Sequence, residues 1–248
     1  MKLTIVTVCY KAEKTIGRCI ESVLHNDCTD YQYLIIDGAS PDDTVEIAKS
    51  YAEAFEKKNI SYTIVSEKDT GIYNAMNKAI ALCQGEWVLY LNSDDKLFNE
   101  KNLSLLLEKC TTTDTDVVYG DVEVKTTDRS FLQKPRSLER LKSGTEMPFC
   151  HQSTLTRTSA LKRYHFDESY RIIADIDMYL RMYEDHVHFA YYPICVSVFS
   201  NDGVSQTNRI ASMREGKRML KKHGCYSPDR IMEINARILW YRIKRIKG

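Results

Sequence analysis

Over the first hundred positions, short unbroken apolar runs alternate with stretches of helical spacing. Leu3–Val8 is β-branched and continuous, the pattern of a strand buried on both faces. From Ala12 to Leu24, residues Ile16, Cys19, Ile20, Val23 and Leu24 share one helical face. Tyr33–Ile36 predicts a second strand, ending at Asp37-Gly38. Ser40-Pro41-Asp42-Asp43 offers an N-cap serine, a first-turn proline and acids at the positive dipole end, predicting a helix to about Lys57. Tyr62–Val65 predicts a third strand, Ile72–Leu82 a helix closed by Gly85, and Trp87–Leu91 a fourth strand. Such alternation implies a mostly parallel α/β sheet flanked by helices, whose ligands gather at the carboxyl ends of the strands. Tyr10, Asp37, Asp69 and Asp94-Asp95 each follow one of these strands.

The rhythm changes after residue 100. Leu103–Cys110 has helical spacing, Val117–Val124 reads as a strand with Phe131–Gln133 beside it, and Arg136–Gly144 as a short helix. Phe149–Thr156 and Tyr191–Phe199 predict further strands, with Ile176–Tyr183 helical between them. Two helices close the chain, and the last, Asp229–Ile246, carries Ile231, Ile234, Ile238, Leu239, Tyr241, Ile243 and Ile246 at helical intervals. No repeat or linker interrupts the chain, so one domain over about 1–208 and a helical extension over 209–248 are expected.

The 248 residues suffice for a large core. No apolar stretch approaches the ~18 residues of a spanning helix. Met1–Val6 enters strand-like sequence directly, without the pattern of a signal peptide. The eight cysteines stand singly, with no Cys-x-x-Cys pair, so free thiols in a reducing cytoplasm are expected. The net charge of +1 conceals an asymmetry. From residue 209 onward, twelve Lys or Arg face three Asp or Glu, a balance of +9 that leaves −8 for the rest. A basic tail on an acidic body points to an anionic surface as partner.

The chemistry centres on Asn92-Ser93-Asp94-Asp95, directly after the apolar run Trp87–Leu91. Two adjacent carboxylates at a buried strand end are costly unless neutralised. A divalent cation arriving with a nucleotide diphosphate would do so, since hard cations combine carboxylates with substrate phosphates. A polar turn capping a strand is the alternative. Three segments occur in order: Asp37-Gly38-Ala39-Ser40-Pro41-Asp42-Asp43-Thr44, Ser66-Glu67-Lys68-Asp69-Thr70-Gly71-Ile72-Tyr73-Asn74-Ala75-Met76-Asn77-Lys78-Ala79, and Leu91-Asn92-Ser93-Asp94-Asp95. Together they resemble family 2 glycosyltransferases, inverting enzymes of the GT-A fold, over roughly residues 3–205.

The resemblance implies a nucleotide-binding half over about 1–100 and an acceptor half over about 101–208. It implies that Thr7, Val8 and Tyr10 line the nucleotide pocket, Tyr10 near the base, that Asp37 accepts from the base edge, and that Asp69 helps close the pocket. Asp94 would reach the ribose or the metal shell, and Asp95 would ligate Mg2+ or Mn2+. Lys78 either adds positive charge near the site or is a solvated helix lysine. Cys9 and Lys11 depart from the family's commoner Thr-x-x-Tyr-Asn-like opening. In the second half, Asp167–Arg181 resembles the segment in which an acidic pair precedes a helix. Asp175 matches the general base, and Ala174 stands where the family often has Glu. Asp177 competes for the role, but a first-turn acid is also favoured by the helix dipole or by Arg181 four residues on. His151-Gln152 resembles an acceptor- or diphosphate-side motif, against the plainer reading of a structural His. Residues 201–205 read either as a loop able to close over the donor or as an ordinary turn.

The implied function is metal-dependent transfer of a sugar, from a UDP-sugar by preference, to a saccharide or lipid-linked saccharide in surface-polysaccharide assembly. The terminal helix, with Trp240 and Tyr241 beside Lys244, Arg245 and Lys247, fits an anionic membrane at the inner face of the cell. Packing on the body or on a second copy, as a homodimer, is the other use of its apolar face. Two further classes compete. A nucleotidyltransferase would want a glycine-rich basic phosphate loop after the first strand, and Val8–Glu13 has no glycine. A non-catalytic nucleotide-sugar binder is made plausible by Ala174. Nucleic acid is not an expected partner, since the basic residues lie on one terminal segment without a known module.

Overall fold

A computed structural model of the chain describes residues 1–112, 114–200 and 208–246. In chain order the elements are β1 (Leu3–Cys9), α1 (Ile16–Leu24), β2 (Tyr31–Asp37), α2 (Thr44–Ser50), α3 (Ala52–Lys57), β3 (Ser61–Ser66), α4 (Ile72–Leu82), β4 (Trp87–Tyr90), β5 (Lys96–Leu97), α5 (Asn102–Thr112), β6 (Val117–Lys125), β7 (Ser130–Gln133), β8 (Thr154–Arg157), α6 (Thr158–Tyr164), α7 (Ala174–Glu184), β9 (Phe189–Ser200), α8 (Arg209–Lys222) and α9 (Pro228–Ile246). They form a mixed sheet in the order β3-β2-β1-β4-β8-β6-β9-β5, with β7 also paired to β6. β3, β2, β1 and β4 run parallel, whereas β8 is antiparallel to β4 and to β6.

β1, β2 and β4 are buried at every position, and successive side chains feed two cores on opposite sheet faces. Val6, Val8, Leu34, Ile36, Val88 and Tyr90 pack with α4, α6 and α7. Leu3, Ile5, Tyr33, Ile35, Trp87 and Leu89 pack with α1, α3 and α5. The register levels the strand ends: Cys9 lies opposite Asp37, and Asp37 opposite Ser66. The polar loops therefore emerge side by side along one edge of the sheet.

Three boundaries differ from the sequence pattern. The helix expected from Ser40 to Lys57 starts at Thr44 and breaks at Tyr51, whose N–H bonds to the Ala48 carbonyl three residues back and tightens the turn. Ser40 is no cap, because its side chain is committed to Asp37. The strand expected over Phe149–Thr156 shrinks to β8, preceded by a single 3-10 turn at His151–Ser153.

The terminal helices are packed on the body. α8 crosses the turn after the 3-10 helix Leu138–Ser143, where Gly216 lies against Gly144 so closely that a Cβ would collide with the Gly144 carbonyl. Gly144 has φ +70°, a left-handed conformation that favours glycine. Met219 joins the core shared by α4 and α7. α9 lies on α8 through Ile231, Ile234 and Ile238 against Met213 and Leu220. Its far side exposes Met232, Leu239, Trp240 and Ile243. Among the described residues no helix is long and apolar enough to cross a membrane. Residues 201–205 and the side chains of Lys244, Arg245 and Lys247, singled out in the sequence, lie outside the described residues.

Candidate active site

At the ends of β1 and β2, Asp37 is completely buried. It accepts hydrogen bonds from the Ser40 N–H (2.9 Å) and hydroxyl (2.5 Å), the Ser66 hydroxyl (2.6 Å) and, at longer range, the Cys9 thiol (3.7 Å). Ser40 Oγ in turn accepts from the Lys11 N–H at 2.8 Å. Asp37 thus ties together the loops after three strands. The Thr7 hydroxyl lies 3.0 Å from the Tyr33 phenol in one core, and Val8 is buried in the other. Strand alternation between two covered faces leaves neither side chain at the sheet edge.

Tyr10 and Asp69 do face the edge. The Tyr10 ring is 57% exposed. A Cβ on Gly38 would lie 2.5 Å from Asp69 Oδ2 and 3.4 Å from the Tyr10 ring, so Gly38 makes room for both. Asp69 Oδ1 accepts from the Gly71 N–H at 2.9 Å, just before α4. Lys78 fastens the same loop, through the Lys68 carbonyl (2.8 Å) and Glu67 (2.8 Å).

Beyond β4, the Arg18 guanidinium donates to the Asp94 carbonyl at 2.8 Å, fixing the turn. Asp95 is 1% exposed, and its Oδ1 accepts from the Ser200 N–H at 2.8 Å. Among the described residues its Oδ2 is buried without a hydrogen-bond partner, as are Asn92 Oδ1 and His151 Nε2. Burial, with neighbouring Asp94, pushes the Asp95 carboxyl up to about 7. A cation at Oδ2 would relieve both the orphaned oxygen and the desolvated charge, so the donor set fits one. Among the described residues no three His, Cys, Asp or Glu side chains form a ready-made cage. That suits a hard cation held by one or two carboxylates and completed by substrate phosphates.

Asp175 lies in the first turn of α7. Its Oδ1 is 3.0 Å from the Tyr73 phenol and its Oδ2 is 3.3 Å from His151 Nδ1. The side chain keeps 14% of its surface exposed. Burial, then the Asp175 charge, hold the Tyr73 phenol well above its ordinary range, so Tyr73 remains a donor. Cys150 donates to Gln152 Oε1 at 2.8 Å, and its thiol is raised by burial and then by the charges of Asp95 and Asp175. Asp95, His151, Gln152 and Asp175 are therefore neighbours. Asp177 is elsewhere. Fully buried, it meets Arg181 Nε at 2.8 Å, His223 Nε2 at 3.0 Å and Lys222 Nζ at 3.4 Å.

Several residues that shape the site were not foreseen. Glu168 receives the Asn74 and Asn77 side-chain amides at 2.9 and 2.8 Å. Glu215 of α8 receives the Arg171 and Ile172 N–H groups at 2.9 and 3.0 Å. Gly71, Tyr73, Asn74, Glu168, Tyr170 and Arg171 are among the residues lining a cavity of about 130 Å³, and Tyr73 also reaches Asp175. Tyr73, Asn74 and Asn77 lie inside a motif already recognisable in the sequence, whereas nothing local marks Glu215.

Residues 4–173 match the model of glycosyl transferase family 2. A PGL/p-HBAD biosynthesis glycosyltransferase of Mycobacterium bovis is 27% identical over 205 residues, covering 81% of this chain and 77% of that protein. The chondroitin synthase of Escherichia coli is 30% identical over 184 residues, 71% of this chain but only 25% of the synthase. Among solved structures, S. aureus TarS 1-349 in complex with UDP-GlcNAc superposes with a TM-score of 0.70 at 18% identity, covering 88% of this chain and 66% of TarS 1-349. Mannosyltransferase PcManGT from Pyrobaculum calidifontis, in complex with GDP-Man and Mn2+, superposes with a TM-score of 0.71 at 18% identity, covering 96% and 69%. The family match spans well over half of the chain and its sheet carries acidic loops along one edge: the chain belongs to glycosyl transferase family 2 and is a glycosyltransferase of the GT-A fold.

Proposed function

We propose that the chain transfers a sugar from a nucleotide diphosphate, a UDP-sugar, to a hydroxyl of a saccharide or lipid-linked saccharide, with inversion at the anomeric carbon. The observation that carries this reading is Asp175, a partly exposed carboxylate held by Tyr73 and His151 beside the buried acid Asp95. Among the described residues no Lys or Arg pairs with Asp175, whose partners are Tyr73 and His151.

In this reading Asp175 takes the proton of the acceptor hydroxyl as that oxygen attacks the anomeric carbon opposite the leaving diphosphate. Attack from the far face inverts the centre. Tyr73 and His151 fix the carboxylate, and the exposed Tyr10 ring offers a face to the base. Asp69 closes the same pocket over Gly38, while Asp37 holds the loops beneath it. Asp95, with Asp94 beside it, would hold Mg2+ or Mn2+, which when bound supplies Lewis-acid stabilisation of the departing diphosphate. The complexes of TarS with UDP-GlcNAc and of PcManGT with GDP-Man and Mn2+ support a nucleotide-sugar donor and a divalent ion.

The acceptor is proposed to be lipid-linked and met at the inner face of a membrane, on which the exposed row of α9 would rest. The mycobacterial, E. coli and TarS relatives do not specify that acceptor, so it rests on the basic amphipathic tail.

The test is Asp175→Asn, assayed with nucleotide sugars and Mn2+. Removing a general base should slow transfer on the order of 10²–10⁴-fold. Nucleotide binding, followed by thermal shift, should be unchanged. Full turnover by the variant would exclude Asp175 from the role, and donor binding with no transfer by the unaltered chain would favour a non-catalytic binder.

A further inference from the structure

We infer that Tyr73 is a positioning residue that aims Asp175 and ties it to the donor-side loop; this rests on Asp175 being the base. Tyr73 is the second residue of α4, two positions after Gly71, whose N–H is bound by Asp69. Its phenol lies 3.0 Å from Asp175 Oδ1 and 2.8 Å from the Ile172 carbonyl, so one side chain reaches both the base and the backbone leading into α7. Two further α4 residues grip the same segment. Asn77 donates to the Phe166 carbonyl and accepts from the Phe166 N–H, at 2.9 and 3.0 Å, and Asn74 and Asn77 both hold Glu168. The Tyr73 ring stacks on Phe166 with centroids 5.4 Å apart, which sets its direction.

The helix that opens from the Asp69 loop therefore carries the group that orients the base. Of the three α4 side chains, Tyr73 is the one that touches Asp175. Among the described residues, the other ionisable groups near that carboxylate are His151 and Cys150 before β8 and Tyr179 on α7, while Glu215 on α8 lies near Tyr73 and accepts from the Ile172 N–H.

Tyr73→Phe keeps the ring and its stacking and removes only the hydroxyl. In the full chain, with nucleotide sugar, Mn2+ and acceptor, we expect kcat to fall at least tenfold while the donor KM stays within about twofold. Losing a donor to the carboxylate should also move the acid limb of the pH–rate profile to higher pH. Asn77→Ala is the comparison: it loosens the same segment without touching Asp175, and should lower Tm while leaving the acid limb in place. Wild-type kcat and pH profile in Tyr73→Phe would overturn the proposal, as would an equal shift of the acid limb in Asn77→Ala. If Asp175→Asn transfers normally, the base assignment fails and this inference fails with it. If Asp175→Asn is inactive and Tyr73→Phe is normal, only the inference fails.

Discussion

At the scale of single residues, the two acids of α7 have opposite fates because of what surrounds them. Asp177 is enclosed by Arg181, Lys222 and His223, and removing one partner of such a buried set leaves uncompensated charge. Its carboxyl is held below its ordinary value by the hydrogen bonds of His223 and Arg181, against the upward push of burial. His223 is held above its ordinary 6.5, first by its bond to Asp177 and then by Glu184. The signs are opposite. Asp177 contributes stability that is lost as pH falls through its lowered value, and His223 contributes stability that is lost as pH rises above 6.5 and through its raised value. His223→Gln should therefore be less stable than wild type at pH 6, and should lose little further stability between pH 6.5 and 8.5 while the wild type declines. Urea denaturation at several pH values reads this directly, and parallel curves would contradict it. Asp175 could be told from Asp177 in the sequence only by resemblance, since both are first-turn acids. Arg181 is local, but the rest of the cage around Asp177, Lys222 and His223, stands at the end of α8, some forty-five residues further on.

At the scale of elements, strands and helices of the first hundred residues were legible because their burial is two-sided and their spacing regular. Ser40 shows where local rules stop. Its sequence context is that of a helix cap, yet a buried acid on the adjacent strand outcompetes the helix for its hydroxyl. The short β5, the late start of β8 and the helix α6 depend on partners distant in the chain, and no local period announces them. α8 is read correctly as a helix, but its contact with the body hinges on Gly216 and Gly144, where two backbones meet without side chains between them. Gly216→Ala should cost roughly 1–3 kcal/mol, the usual range for overpacking, although alanine favours an isolated helix. A lowered urea midpoint would bear this out, whereas a stabilised variant would mean that helix propensity prevails over the close approach.

For the whole molecule, the charge asymmetry places a net +9 on the last forty residues, where α9 turns Met232, Leu239, Trp240 and Ile243 outward. Near an anionic bilayer, Lys and Arg contribute about 1 kcal/mol each, and exposed apolar side chains add their burial. The chain should sediment with phosphatidylglycerol vesicles at low salt and release as salt rises, and Trp240→Ser with Ile243→Asn should weaken binding severalfold. No binding at any salt, together with a concentration-dependent dimer that the same substitutions abolish, would assign the face to a second copy. The tail also fixes the segment leading into α7, because Glu215 carries the Arg171 and Ile172 N–H groups. In the proposed reading, anchoring and substrate choice are thus built on one stretch of chain. Exchanging tails between relatives to redirect an enzyme to another surface would also reshape the mouth beside Asp175, so address and appetite would be inherited together.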